Sequence, residues 1–346
     1  MNIAILIPSL DPNERLGTLV FQLREQGLTQ IVVIDDGSAA SAQPIFDLCA
    51  SLGCVVVHHD CNRGKGEALR TGLRTARERF PTISGVVTAD GDGQHLVKDI
   101  VRVARVLEAS ASGLILGTRD FSGKHIPFRS RFGNRFSSLF FRLSVGVSCP
   151  DTQTGLRGIP AALFDFALSV SGSRYEYEMN LLFCAAQQHI PLRYIPIETV
   201  YDEDKNSVSH FRPLRDSARI YASPLRFAVA SLSSFFIDIL LFSLFTVLLP
   251  SRTAQAILTA TFGARVCSGI YNFLLNRRWS FSSTQESWHT QGIRYLILFL
   301  CQMLVSGSAV WLLSFLPLPL TLIKILVDTT LFCISYFIQH NWVFRK

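Results

Sequence analysis

Thr88-Ala89-Asp90-Gly91-Asp92-Gly93-Gln94-His95 is the stretch that decides how this chain is read. It ends an apolar run, Ile83 to Thr88, that predicts a buried strand, so the acidic pair sits where that strand stops. Alternate residues of an extended segment point the same way. Asp90, Asp92 and Gln94 therefore aim oxygens at one hard cation while Gly91 and Gly93 keep the backbone open. Mg²⁺ or Mn²⁺ held by one or two carboxylates completes its shell with water or phosphate oxygens, so the substrate is expected to carry phosphate. A D-x-D by itself is also common on solvated turns, and the surrounding chain has to decide between the two.

That surrounding chain alternates short apolar runs with amphipathic stretches. Ile3 to Ile7, Ile31 to Ile34, Val55 to Val57, Val86 to Thr88 and Leu114 to Leu116 predict strands with helices between them, an α/β pattern of parallel, doubly wound sheet. Such sheets bind ligands beyond the carboxyl ends of their strands. Asp35-Asp36-Gly37-Ser38 follows one strand as Asp90 follows another, so two acidic clusters converge on one crevice. A carboxylate at Asp35 or Asp36 suits a ribose or base edge, and the same four residues also make an ordinary turn or helix cap. Asn62-Arg63-Gly64-Lys65-Gly66 opens a helical run, Glu67 to Phe80, and its glycines and cations suit an anion, or a solvated turn.

Taken in order, Asp35 to Ser38, Asn62 to Gly66, Asp90 to His95, Gly117-Thr118-Arg119 and Asp151-Thr152-Gln153-Thr154-Gly155-Leu156-Arg157 resemble the family 2 glycosyltransferases of GT-A fold. The closer resemblance is to the polyprenyl-phosphate glycosyltransferases, the group of dolichol-phosphate mannose synthase and the GtrB-type enzymes. It implies that Pro8, Asp35, Asp36, Lys65 and Asp90 hold a UDP- or GDP-linked nucleotide sugar. Asp90, Asp92 and Gln94 then bind the divalent ion, and Arg119 and Arg131 are the acceptor-phosphate ligands. Asp92, Arg119 and Arg131 carry catalysis in this scheme. Ser9 to Glu14 departs from the family's I-P-x-x-N-E.

The chain has 346 residues, 49% of them hydrophobic, and the apolar excess lies after Pro224. Four spans are expected, at about 226–249, 254–275, 293–316 and 319–340, each near the length that crosses a bilayer. The Met1 to Ile7 run is too short, and lacks the basic start, for a cleavable signal. Arg215, Arg219 and Arg226 before the first span, Arg277, Arg278 and Arg294 around the second loop, and Arg345 and Lys346 at the end place the catalytic domain in the cytoplasm. The opposite loops, Pro250 to Thr253 and Pro317 to Pro319, contain only Arg252. The expected division is 1–210 for the transferase, 211–225 for a juxtamembrane helix and 226–346 for the membrane part, in a bacterial plasma membrane.

The membrane part repeats. Arg226-Phe227 opens the first span as Arg294-Tyr295 opens the third, and Arg278-Trp279-Ser280-Phe281 closes the second as Asn341-Trp342-Val343-Phe344 closes the fourth. This duplicated hairpin is similar to a GtrA domain, with Trp279 and Trp342 as interfacial anchors. Fourteen residues before each Trp stand Arg265 and Asp328, with Asp238 in the first span, and such charges need partners. A structural ion pair is the reading, with a lipid-phosphate or transport role as the alternative.

Phe128, Phe132, Phe136 and Phe140 recur at helical spacing among Arg129, Arg131, Arg135 and Arg142, a pattern for a membrane surface or for packing on the sheet. Tyr175-Glu176-Tyr177-Glu178 and the polar run Asp202 to Arg212 are expected near the crevice mouth, with Asn206, Ser207, Ser209 and His210 lining an acceptor loop. The eight cysteines show no C-x-x-C spacing and read as reduced packing residues. The net charge of +7 clusters near the membrane segments, which points to anionic headgroups and away from nucleic acid.

The expected function is therefore metal-dependent, inverting transfer of a sugar from a nucleotide sugar to undecaprenyl or dolichyl phosphate, supplying cell-envelope glycosylation. A phosphate monoester is largely ionised near pH 7, so no strong base is required. The rivals are a polysaccharide or glycolipid synthase, with Glu176 or Glu178 as base for a hydroxyl acceptor, and a lipid-translocating or anchoring protein with an idle transferase domain. The absence of Q-x-x-R-W argues against the first, and the intact Asp90, Asp92 and Gln94 set against the second. A homo-oligomer stays open.

Overall fold

The computed structural model describes residues 1–109, 112–121, 126, 128–198, 221–248, 254–281, 286–313, 315–316 and 318–344. They form two compact units, Met1–Ile220 and Tyr221–Lys346. In the first, strands and helices alternate: β1 (Ile3–Ser9), α1 (Glu14–Glu25), β2 (Ile31–Asp35), α2 (Gln43–Ser51), β3 (Val55–His58), α3 (Lys65–Arg79), β4 (Gly85–Thr88), α4 (Val97–Ala109) and β5 (Leu114–Arg119). All five expected strands form. After them come α5 (Phe128–Val145), β6 (Arg157–Pro160), α6 (Phe164–Ser169), α7 (Glu176–Gln187) and β7 (Leu192–Ile197).

The sheet has seven strands in the order β3-β2-β1-β4-β6-β5-β7. β6 runs antiparallel to both neighbours and the other pairings are parallel, so the sheet is mostly parallel. The sequence pattern predicts neither β6 nor β7, and β6 separates β4 from β5. Arg157-Gly158-Ile159-Pro160 is short and not evenly apolar, so its strand state comes from the two neighbours that pair with it. Ile3 to Ile7 in β1 are fully buried because both faces of the sheet are covered. Leu16, Leu23, Phe46, Ile100 and Leu107 pack on one face, and Leu69, Leu73, Phe164, Tyr177 and Leu181 on the other.

The second unit contains α8 (Ala222–Leu248), α9 (Ala254–Leu275), α10 (Trp288–Leu313) and α11 (Leu320–Ile338). Among the described residues, two of these are long and apolar enough to cross a membrane, α8 over Ala222–Phe245 and α10 over its full length. The internal repeat has a structural counterpart. α9 and α11 each run into a π-helical turn, Asn276–Ser280 and Gln339–Val343. Phe227 of α8 packs 5.4 Å from Tyr336 of α11, and Tyr295 of α10 packs 5.5 Å from Phe273 of α9, so each hairpin's first helix meets the other's second. Phe281 and Phe344 stack at 5.1 Å, and the Asn276 amide donates to Gln339 at 3.5 Å. The repeated arginines do the same work in each half: Arg226 donates to the Trp279 carbonyl and Arg294 to the Trp342 carbonyl.

Asp238, Arg265 and Asp328 all have partners. Arg265 lies 3.5 Å from Asp238, whose other oxygen accepts the Ser268 hydroxyl at 2.9 Å. Ser306 donates to Asp328 at 2.7 Å. The ion pair thus joins Arg265 to Asp238 within one hairpin, and Asp328 takes a hydroxyl in the other. Arg215, Arg219, Arg252, Arg345 and Lys346 lie outside the described residues.

Candidate active site

β4 delivers Thr88 and, two residues on, Asp90 at the carboxyl edge of the sheet. Because β6 is antiparallel, its amino end lies beside the carboxyl end of β4, with Thr88 in register with Arg157. The Thr88 hydroxyl donates to the Gly155 carbonyl at 2.7 Å. This brings the segment Asp151 to Leu156 against the acidic loop. A Cβ on Gly155 would sit 2.3 Å from Asp90 Oδ2, so only glycine lets the carboxylate stand there.

The first residue of α3, Lys65, reaches into the same place. Its Nζ lies 2.7 Å from Asp90 Oδ1 and 3.1 Å from Glu178 Oε2, which α7 supplies. Burial alone would raise the Asp90 pKa, and the charges of Lys65 and Arg119 help to reverse this, holding the carboxyl down at about 2. Asp92 moves the other way, raised by burial and then by the neighbouring Asp90 charge. Asp92 Oδ1 also accepts the Gln94 backbone N–H at 3.0 Å, which closes the loop on itself. His95 accepts the Asp90 N–H at Nδ1, at 3.1 Å, which requires an unprotonated nitrogen, and burial lowers its pKa accordingly.

Arg119, the last residue of β5, forms a two-pronged pair with Asp151: Nε to Oδ2 at 2.7 Å and Nη2 to Oδ1 at 3.1 Å. Asp151 is fully buried, so the guanidinium plane is fixed. Arg131 lies one turn before Asn134 in α5, and the Asn134 amide donates to the Pro150 carbonyl at 2.7 Å, next to Asp151. Asn134, Ser137, Phe141 and Ser144 form the buried side of α5, while Phe132, Phe136, Leu139 and Leu143 stay exposed. Of the Phe stripe, Phe132 and Phe136 are thus on the exposed side, and Phe140 meets Phe183 of α7 at 5.9 Å. The side chains of Phe128 and Arg129, and the segment 202–212 with Asn206, Ser207, Ser209 and His210, lie outside the described residues.

At the far end of the crevice, the paired acids of β2 turn out to have different jobs. Asp36 accepts the backbone N–H groups of Arg63 and Gly64 at 2.9 and 2.8 Å and meets His59 Nδ1 at 2.9 Å. The anion at the start of α3 is therefore the protein's own carboxylate. The glycines of this turn serve packing: a Cβ on Gly64 would lie 2.4 Å from Arg174, and one on Gly66 2.5 Å from Tyr177. Asp35 accepts the Ser38 N–H and meets His58 Nδ1, each at 2.8 Å. Pro8 stands in register with Ile34 at the end of β1. In the stretch Ser9 to Glu14, Asn13 caps α1 and Asp11 accepts the Ala39 N–H at 2.8 Å, so these polar groups brace the two loops.

Glu176 and Glu178 also divide. Glu176 accepts the Ser173 and Arg174 N–H groups at 3.1 and 3.2 Å and holds the start of its own helix, whereas Glu178 faces Lys65. A residue that sequence reasoning quoted but gave no role is Arg157. Only 2% exposed, it donates to the carbonyls of Thr154 at 2.9 Å and Glu178 at 2.5 Å, tying the Asp151–Leu156 loop to α7. The donor set of Asp90, Asp92 and Gln94 fits a hard divalent ion. Two carboxylates on one loop, one of them destabilised by the other's charge, make a place that a cation relieves.

An acidic loop at the carboxyl edge of a mostly parallel sheet, followed by a duplicated apolar hairpin, can now be set beside known proteins. The glycosyl transferase family 2 model matches residues 4–168, and that of the GtrA/DPMS transmembrane domain matches residues 215–344. An uncharacterized protein of Methanocaldococcus jannaschii is 30% identical over 208 residues, 58% of this chain and 82% of that one. The chain belongs to glycosyl transferase family 2. It is a glycosyltransferase of GT-A type and, by its GtrA/DPMS domain, a membrane protein.

Another relative of this glycosyltransferase is the UDP-N-acetylglucosamine–dolichyl-phosphate N-acetylglucosaminyltransferase of Methanococcus voltae. It is 26% identical over 219 residues, 58% of this chain and 86% of that one. Among solved structures, glucosyl-3-phosphoglycerate synthase of Mycobacterium tuberculosis with Mn²⁺, uridine diphosphate and phosphoglyceric acid is 15% identical. It aligns at a TM-score of 0.48 over 65% of this chain and 76% of that one.

Proposed function

We propose that this glycosyltransferase moves a sugar from a UDP- or GDP-linked donor to a polyprenyl phosphate, at the cytoplasmic face of a membrane that its four long helices cross. The observation that carries the reading is the Arg119–Asp151 fork, standing close enough to Asp90 to act on its ionisation. The Arg119 guanidinium is held rigid by the buried carboxylate on its Nε and Nη2, and its charge stands beside the acidic loop that suits a donor diphosphate. The dolichyl-phosphate acceptor in the name of the Methanococcus voltae relative supports the same acceptor class here.

In this mechanism Pro8, Asp35, Asp36, Lys65 and Asp90 frame the nucleotide sugar, and Arg119 and Arg131 hold the acceptor phosphate in line with the anomeric carbon. Asp90, Asp92 and Gln94 would hold Mg²⁺ or Mn²⁺, which when bound supplies positive charge for the departing diphosphate. Lys65 adds a second cation beside the same leaving group. The phosphate oxygen attacks already ionised, the bond from the anomeric carbon to the donor phosphate breaks, and single displacement inverts the configuration. Glu178 then serves to hold Lys65 rather than to take a proton. Residues 1–210, 211–225 and 226–346 divide this work into catalysis, juxtamembrane connection and a multi-pass anchor in a bacterial plasma membrane.

Purified protein, labelled nucleotide sugars and undecaprenyl phosphate test the reading. Label should enter the lipid phase only with Mg²⁺ or Mn²⁺ present. Full activity in excess chelator would remove the metal from the scheme, and label passing to water or to glycan hydroxyls would remove the lipid acceptor.

A further inference from the structure

We infer that His58 is the group that reads the donor's nucleobase, with Asp35 acting through it; this rests on the nucleotide-sugar reading above. Asp35 itself is poorly placed to be the contact. Its side chain is 9% exposed, and its two oxygens meet the Ser38 N–H and His58 Nδ1. His58, its register partner on the edge strand β3, has a side chain 44% exposed. The imidazole is nevertheless fixed, by Asp35 at 2.8 Å on one side and by an edge-to-face contact with Phe46 at 5.6 Å. A half-exposed ring held by two partners is a built recognition group, since little of its freedom is lost on binding.

Its location fits. The order β3-β2-β1-β4 puts His58 three strand spacings, roughly 14 Å, from the end of β4 where Asp90 stands. A nucleoside diphosphate laid along this edge with its phosphates at Asp90 brings its base to β2 and β3.

The chemistry then selects the base. A carboxylate only accepts, so His58 Nδ1 carries the hydrogen toward Asp35, and in that tautomer of the imidazole Nε2 is the acceptor. Among the described residues, Nε2 has no hydrogen-bond partner. An acceptor there matches a ring N–H, which uracil offers at N3 and guanine at N1. Adenine N1 and cytosine N3 are acceptors and would face it lone pair to lone pair. His58 therefore favours UDP- and GDP-linked donors over ADP- and CDP-linked ones.

The test is equilibrium binding of UDP, GDP, CDP and ADP, with Mg²⁺, to the full chain in detergent. It compares the native protein with His58→Ala, His58→Phe and Asp35→Asn, and Phe keeps the contact with Phe46 if Ala loosens the fold. Expected is at least tenfold preference for UDP or GDP, lost by about tenfold in both His58 variants and weakened in Asp35→Asn. His58→Phe with native affinity and base preference overturns the inference, and if Asp35→Asn alone then loses affinity, the base contact belongs to Asp35. Native protein that binds none of the four overturns the nucleotide-sugar reading itself and the inference with it.

Discussion

Lys65 shows how one side chain can organise a site whose parts come from three distant segments. Its ammonium is shared by Asp90 and Glu178, and neither partner is near it in sequence. Asp92→Ala removes an oxygen from a partly exposed loop, so transfer should vanish while thermal unfolding in detergent stays near native; a variant with near-native turnover contradicts the metal assignment. Glu178→Gln should slow single-turnover transfer to a lipid phosphate far less than the roughly 10²- to 10⁴-fold loss expected of a general base. Its effect should fall on donor KM, through Lys65. Arg119→Lys loses the two-pronged pair with Asp151 and should raise the acceptor KM while leaving donor affinity nearly unchanged. Asp35 gives a pH signature. Burial alone would raise its pKa, but hydrogen bonds from Ser38 and His58 more than offset this and set it below the ordinary 3.8. The folded value lies below the unfolded one, so its stabilisation is complete above the ordinary value and is lost as pH falls through the folded one. Acid unfolding of Asp35→Asn should accordingly show a shallower loss of stability below about pH 4 than the native protein.

At the scale of elements, β1 to β5 were legible because each is an apolar run with no competing periodicity, and a doubly wound sheet buries such runs on both faces. β6 was not. Four residues that include an arginine, a glycine and a proline carry no strand pattern, and β4 and β5 impose the conformation from either side. The consequence reached the site: Asp151 to Arg157 was visible as a motif, but only the antiparallel strand shows why it touches Asp90. The roles of Asp36 and Arg157 were hidden for the same reason, since each contacts backbone groups that only the tertiary fold brings near. Gly155→Ala tests this element directly. Its Cβ would collide with Asp90 in a loop pinned through Thr88, so transfer should fall at least tenfold with a stability loss of about 1–3 kcal/mol, measured by activity and denaturant unfolding.

Across the whole molecule, a soluble-type catalytic unit and an apolar duplicated hairpin share one chain, and the hairpin repeat was readable from Arg226, Arg294, Trp279 and Trp342 alone. What the sequence left open was which charges pair, because Asp238, Arg265 and Asp328 all lie within the apolar segments and only packing chooses between them. Asp238→Leu should lower the unfolding temperature in detergent by leaving Arg265 without its carboxylate, and the double change with Arg265→Leu should recover most of that loss. The central claim is that the acceptor is a phosphate monoester arriving from the membrane. It is tested most directly by single-turnover transfer from one labelled nucleotide sugar to polyprenyl phosphate and to the free polyprenol of equal length. Transfer to the phosphate with none to the alcohol is the predicted result, and comparable transfer to the alcohol would contradict the account.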